Sequence, residues 1–535
     1  MVASRIVSFA GPCNFNATEE TKSLPCRPAG TKRAYCARPA ERRIRALPVL
    51  SRASKGRRNG LPNFRLLLAA LSFIASPLLA QQDQTLGQKP SPLQTGVILP
   101  RVTATKQPEQ SYALYLPTQY APEKRWPIVY AFDPGARGSV PIESMKEAAQ
   151  RHGYILVGSN NSRNGSWKIE AEAAEAIVQD THARLSIDDC RVYLAGFSGG
   201  ARVAAQIAQV CKCAAGVLLN GAGFHPLAFE SKDTPFVVFA AVGTYDFNYP
   251  EHVRTDEELE KLGYPHFLRP FEGPHQWAPA ATMEEGLAWF RLQAMKSGRE
   301  GRDDSFIALQ AAKETARARA LEQSGTLYIA WKEYRQGAQM LAGLGDSAAL
   351  RARADALEKD KAVRDGAKRE KQEFAEQEDL SREISAGLFE LQQNPPNRAD
   401  IYDTLEKQLA ALRSRTEHEK REEKLRVLKR AVAGLLVQAM EMGNARLDQK
   451  DTSHAKDYFE LASVADPDSM WALGNLAVAR ALDGDRKGTM DALRRAKAKT
   501  KNPGRFAEWL NEEPAFAKLR GTPEFRALLD TAAQR

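Results

Sequence analysis

Between residues 98 and 296 the chain alternates short, continuously apolar runs with longer amphipathic stretches. The runs are SYALYLP (111–117), WPIVYAFD (126–133), YILVGSN (154–160), CRVYLAG (190–196), AAGVLLNG (214–221), PFVVFAAVG (235–243) and HFLRPFEG (266–273). Positions that are apolar in succession, rather than at every second residue, suit strands covered on both faces, as in a parallel sheet. Helical periods separate many of them, at 141–152, 168–184 and 199–210, and another closes the series at 281–296. This alternation predicts an α/β domain over 98–297, with a mainly parallel sheet flanked by helices.

After Gly298 the strand pattern stops, and residues 301–535 become rich in Ala, Leu, Glu, Lys and Arg. The stretch 301–430 reads as long, charged, solvated helices, with one strong break at Asn394-Pro395-Pro396. Over 431–535 a 34-residue period emerges, in which Gly443 recurs as Ala477, Ala445 as Ala479, Phe459 as Leu493 and Ala462 as Ala496. Small residues at such offsets let two helices approach closely. The period resembles the tetratricopeptide repeat, carried in its first copy by Gly443, Ala455, Phe459, Ala462 and Pro467. The second copy departs from it at Thr489 and Lys501, and a further candidate unit lies at 316–346. A C-terminal cap would close the array. An all-α bundle with accidental spacing is the alternative, and a protein partner is expected only if the repeats are real.

Leu66–Ala80 follows Arg57, Arg58 and Arg65, a basic-then-apolar order that predicts a signal peptide over 61–80 and a polar linker over 81–97. The expectation is export to the periplasm or beyond. The run is short and broken by Pro77, so membrane attachment is expected only if it stays uncleaved. Residues 1–60 are Arg/Pro-rich without a period and are assigned no fold. Formal net charge is +10, yet residues 81–535 carry 62 basic and 63 acidic side chains. The excess lies in the leader, and nucleic acid is not an expected partner. Beyond the leader there are three cysteines, Cys190, Cys211 and Cys213, with no metal-type spacing. Cys190 and Cys213 flank one strand–helix–strand unit, so a Cys190–Cys213 disulfide is expected, with Cys211 the competing partner.

The candidate chemistry sits at Gly196-Phe197-Ser198-Gly199-Gly200, between an apolar strand and an amphipathic helix. A serine nucleophile needs such a context: a sharp strand-to-helix turn lifts the hydroxyl above the sheet, and glycines two before and two after relieve collisions. A base must then take the hydroxyl proton. His275 follows the last strand in Gly273-Pro274-His275-Gln276-Trp277, and Asp246 leaves the preceding strand in Gly243-Thr244-Tyr245-Asp246. That is the Ser, acid, His order of one hydrolase class. His266 opens the last strand at its other end and reads as structural. His225 is a candidate pocket residue, and Asp256 to Glu258 read as a solvated acidic segment. For the oxyanion hole, Gly199 is one expected donor and Gly135 or Ala136 the other, since Pro134 has no N–H. Asn160, Asn161, Asn164, Trp167 and Trp277 are candidate pocket residues, with a polar surface loop as the competing role for those before 168.

By these features residues 98–296 resemble the compact α/β-hydrolase esterases, the group with phospholipase/carboxylesterases, feruloyl esterases and polyhydroxyalkanoate-depolymerase-like enzymes. The resemblance implies hydrolysis of a small or polymeric carboxylic ester through an acyl-enzyme on Ser198, without cofactor or metal. Peptidase or thioesterase activity uses the same triad. A reading from another class is an interaction protein whose hydrolase domain is vestigial.

Overall fold

The computed structural model describes residues 93–224, 236–500 and 502–529. The leader at 1–60, the segment at 61–80, most of the linker and His225 lie outside the described residues.

Eight strands form one sheet: β1 (Ile98–Thr103), β2 (Ser111–Tyr115), β3 (Trp126–Phe132), β4 (Ile155–Ser159), β5 (Ile187–Phe197), β6 (Gly216–Asn220), β7 (Val237–Gly243) and β8 (His266–Phe271). Their order is β1-β2-β4-β3-β5-β6-β7-β8. The pairs β1–β2 and β2–β4 are antiparallel, and the remaining pairs are parallel. β3, β4 and β6 are buried at every position, as their unbroken apolar runs require. β1 is the strand that the apolar pattern misses. Its ILPRVT sequence is largely exposed and carries Pro100, which fits an edge. Helices α1 (Ser139–His152), α2 (Trp167–Arg184), α3 (Gly199–Cys211), α4 (Tyr249–Lys261) and α5 (Ala280–Lys296) connect and flank these strands. This is an α/β-hydrolase architecture, a mostly parallel sheet with flanking helices, followed by a long all-helical region.

That region comprises α6 (Asp304–Gln323), α7 (Leu327–Leu341), α8 (Ala348–Glu358), α9 (Lys361–Gln392), α10 (Arg398–His418), α11 (Glu422–Asp448), α12 (Thr452–Ala465), α13 (Met470–Leu482), α14 (Arg486–Lys499), α15 (Pro503–Glu512) and α16 (Pro523–Leu529). Asp303, Asp451, Ser469, Asp485 and Asn502 cap their helices by accepting backbone N–H bonds. The break at Asn394-Pro395-Pro396 separates α9 from α10, with Asn394 at φ +50°. α11 runs unbroken through residue 430, where the sequence pattern places a boundary. Segment 316–346 takes in the end of α6 and all of α7, so it does not coincide with one hairpin. Gly443 on α11 faces the ring of Phe459 on α12, where a β-carbon would collide with the ring.

The sheet and the first of these helices share one core. The apolar cluster runs from Val129, Leu156 and Phe239 through Leu287 and Phe290 of α5 to Phe306, Tyr334 and Leu350. A buried ion cluster reinforces the junction. Arg269 of β8 donates to Glu333 (2.5 Å) and Glu314 (2.7 Å), and its Nε lies 2.6 Å from Glu285.

Of the pairings expected among these cysteines, one through Cys211 is present. The bond joins Cys211 to Cys213, whose Cα atoms are 5.1 Å apart. α3 ends at Cys211, and Lys212 turns left-handed (φ +52°), which brings Cys213 back beside its neighbour.

Candidate active site

Ser198 sits between β5 and α3 with φ +53° and ψ −123°, a conformation that side-chain-bearing residues rarely occupy. The turn is held sterically: a β-carbon on Gly196 would collide with the carbonyl of Gly200, and one on Gly200 with that of Phe132. The Ser198 N–H donates to Asn220 O at 2.9 Å, which ties the turn to the end of β6. Half-buried Ser198 then presents its hydroxyl to His275, whose Nε2 is 3.0 Å from Ser198 Oγ. His275 Nδ1 lies 2.8 Å from Asp246 Oδ2, and Asp246 is fully buried. The structure thus brings together the three residues that the strand order selects. Asp246 Oδ1 accepts the Asn248 N–H at 2.9 Å, and Asn248 Nδ2 donates to Gly221 O at 2.7 Å. The carboxylate is therefore fixed on both oxygens. Two rings pack on the imidazole, Phe197 at 4.6 Å and Phe247 at 4.5 Å between centroids. Neither was singled out from sequence, although each is the chain neighbour of a triad residue.

Around the acid, Arg202 of α3 clasps Glu251 of α4 with two bonds of 2.5 and 2.6 Å and donates to Gly223 O at 2.7 Å. Burial alone would raise the Glu251 carboxyl, and the Arg202 bonds and charge reverse this, leaving it below its ordinary pKa. His252, also on α4, is buried, and burial pushes its imidazole down to about 4, so it is neutral at working pH. His266 is structural as expected: it is buried, 2.7 Å from Tyr264 O through Nδ1 and 3.2 Å from Asp256 through Nε2. Asp256 thereby has a partner, and the acidic segment is part of α4.

The second oxyanion donor is corrected. The Gly135 N–H bonds Asp133 Oδ1 at 2.8 Å, and the Ala136 N–H bonds Asp133 O at 3.1 Å. Both expected donors are therefore engaged in their own turn. Asp133 is fully buried and also binds Arg137 at 2.8 and 2.9 Å and the Trp277 indole N–H at 2.8 Å. It organises the loop after β3, well beyond forming a turn. Gly199, the other expected donor, begins α3, where its N–H has no carbonyl a turn before it. The side-chain amide of Asn164 packs against Gly199, whose lack of a β-carbon leaves the amide its place. Its loop is anchored by Asn164 N–H to Pro134 O at 3.0 Å.

The other candidate pocket residues have different tasks. Asn160 Nδ2 donates to Pro100 O at 3.1 Å, Asn161 Oδ1 accepts from Ser111 N at 2.8 Å, and Asn161 Nδ2 donates to Glu109 O at 3.1 Å. Both amides stitch the loop after β4 to β1, β2 and the turn between them, which corrects their assignment to the pocket. Trp277 braces Asp133 and lies 5.8 Å from the Phe197 ring. Trp167 is the half-buried first residue of α2.

No protein-family model matches the chain, and no curated protein matches it. Solved structures are similar in part. The S-formylglutathione hydrolase of Staphylococcus aureus is 12% identical, with 37% of this chain and 98% of that chain covered and a TM-score of 0.30. A thermostable carboxylesterase cloned from a metagenomic library gives 12% identity, 37% and 89% coverage and a TM-score of 0.30. The feruloyl esterase module of Clostridium thermocellum gives 16% identity, 36% and 87% coverage and a TM-score of 0.31.

Proposed function

We propose that the protein is a serine hydrolase that cleaves carboxylic esters through an acyl-enzyme on Ser198. The observation that carries this reading is the Ser198–His275–Asp246 relay, with contacts of 3.0 and 2.8 Å on a nucleophile held at φ +53°. His275 Nε2 takes the Ser198 proton as Oγ attacks the acyl carbonyl, and Asp246 holds the imidazole by Nδ1–H and stabilises its charged form. Developing negative charge on the carbonyl oxygen meets the Gly199 N–H, with Asn164 Nδ2 as second donor once the amide, whose Oδ1 lies nearest Gly199, turns over. His275 then protonates the departing alcohol, and water activated by the same base releases the acid.

Small-molecule or polymeric esters are the substrate class this reading favours. Export is part of it, through the apolar segment at 61–80, and so is docking of a protein partner by the tetratricopeptide-like helices. The test is release of nitrophenol from a short-chain acyl ester by the purified full chain, with Ser198→Ala alongside. Equal rates from the two proteins would refute the mechanism. Feruloyl, thioester and peptide substrates in the same assay rank the leaving groups.

A further inference from the structure

We propose that the C-terminal helical region is a working part of the catalytic centre, with Arg430 as a positioning residue that sets the acid loop from outside the α/β domain. This rests on the hydrolase reading of Ser198, His275 and Asp246.

The loop Thr244–Tyr249, which carries Asp246, is gripped by α9 and α11 at Thr244, Tyr245, Phe247 and Tyr249. Arg430 Nε of α11 donates to Thr244 O at 2.7 Å. Tyr245 donates its hydroxyl to Glu422, and Lys429 lies 4.7 Å above its ring. Gln377 Nε2 of α9 donates to Phe247 O at 2.9 Å. Phe247 packs its side chain on Gly434, where a β-carbon would stand 3.3 Å from Phe247 Cβ. Tyr249 donates to Glu370 at 3.3 Å, and the Arg430 guanidinium lies 4.1 Å from the Tyr249 ring centre. The α/β domain holds the same loop by Thr244 N–H to Phe271 O (2.8 Å), Tyr245 N–H to Gly273 O (2.9 Å), Thr244 Oγ1 to Glu272 (2.9 Å), Asn248 Nδ2 to Gly221 O (2.7 Å) and the Asp246–His275 contact.

Arg430 is the centre of this grip. It is 2% exposed, although it stands in a stretch of sequence that reads as a solvated charged helix. A guanidinium is costly to bury, and here its carboxylate neighbour, Glu373, is 3.8 Å away, beyond hydrogen-bond reach. What it holds closely is the backbone of the acid loop and the ring that ends it. Stability alone would be served as well by an apolar side chain of similar volume. The consequence for chemistry runs through Phe247, whose ring lies against His275, and through Asp246, whose carboxylate orients it. An ångström of drift in this loop tilts the imidazole away from Ser198, and such misplacement lowers turnover by roughly a hundredfold.

The experiment uses the full chain and two variants. Arg430→Met keeps the apolar stem and removes the charge and the donor; Gly434→Ala favours the helix yet presses on Phe247. Turnover number on the acyl ester should fall about tenfold to a hundredfold in Arg430→Met, with KM little changed and partial rescue by Arg430→Lys. Gly434→Ala should lose turnover without losing thermal stability. Wild-type turnover in both folded variants would overturn the proposal. If the wild type hydrolyses no ester, the hydrolase reading fails on its own. The low-field proton resonance of the His275–Asp246 bond still decides the positioning claim: altered in Arg430→Met it stands, unaltered it falls.

Discussion

The Trp277 indole N–H donates to Asp133 at 2.8 Å and so joins the loop after β8 to the loop after β3. One loop carries His275 and the other flanks the serine turn, and Asp133 fixes their separation while also holding Gly135 and Arg137. Trp277→Phe keeps the ring contact with Phe197 and removes the donor. It should cost about 1–3 kcal/mol, the usual effect of leaving a buried carboxylate short of one bond. Denaturant unfolding measures the loss, and a smaller fall in esterase rate should accompany it.

Within the triad, Ser198→Ala should abolish burst labelling by an acyl ester, and Asp246→Asn should lower kcat by about 10⁴-fold while barely changing KM. Both variants should melt close to the wild type for Ser198→Ala and somewhat lower for Asp246→Asn, whose buried side chain must repack. A kcat for Asp246→Asn within threefold of wild type would remove Asp246 from the mechanism.

Asn164→Ala tests the second oxyanion donor. With the Gly135 and Ala136 N–H groups engaged by Asp133, loss of the Asn164 amide should lower kcat by roughly 10²–10³-fold, the usual effect of removing one donor. Steady-state kinetics on the same ester reads it. An undiminished kcat would return the role to backbone groups.

Arg269 holds three carboxylates from three helices at the junction of β8 with α5, α6 and α7. Arg269→Met leaves Glu333 without its cation and Glu285 and Glu314 with Arg317 alone. It should destabilise the chain by about 3–5 kcal/mol, as breaking a buried pair from one side does. Replacing the arginine and its two most buried partners together, Glu314→Gln and Glu333→Gln, should recover most of that loss in urea unfolding.

His152 gives a pH signature. Burial lowers its pKa to about 4, against an ordinary value of 6.5. Between these values the unfolded chain binds a proton that the folded chain does not. The stabilising contribution is complete above pH 6.5, declines as pH falls through the window, and is gone below about pH 4, a loss of about 3 kcal/mol. Unfolding free energies at pH 7, 5.5 and 4.5 should therefore fall less steeply in His152→Gln than in the wild type.

Much of the candidate site is legible in sequence because its determinants are local. Ser198 is marked by glycines on either side, and Asp246 and His275 each follow an apolar run whose place in the sheet is set by chain order. The second oxyanion donor is not legible, for a physical reason: which N–H of the Asp133–Gly138 loop stays available depends on where the Asp133 carboxylate turns, and Trp277, 144 residues away, shares in holding it. Asn160 and Asn161 misled similarly, since polar residues at a strand end serve an edge strand as readily as a pocket. Arg430 carries no local signal at all. Its helix looks solvated until the fold lays it against Thr244, 186 positions earlier in the chain.

The continuity of the apolar core from Phe290 through Phe306 to Leu350 bears on how this protein can be handled. The change in composition at Gly298 invites excision of a minimal enzyme ending there. Such a fragment would bare Phe290's neighbours, strand Arg269 without two of its carboxylates, and free the acid loop from α9 and α11. Its insolubility or feeble turnover would then report the cut rather than the enzyme, so libraries for substrate discovery should display the chain through α16.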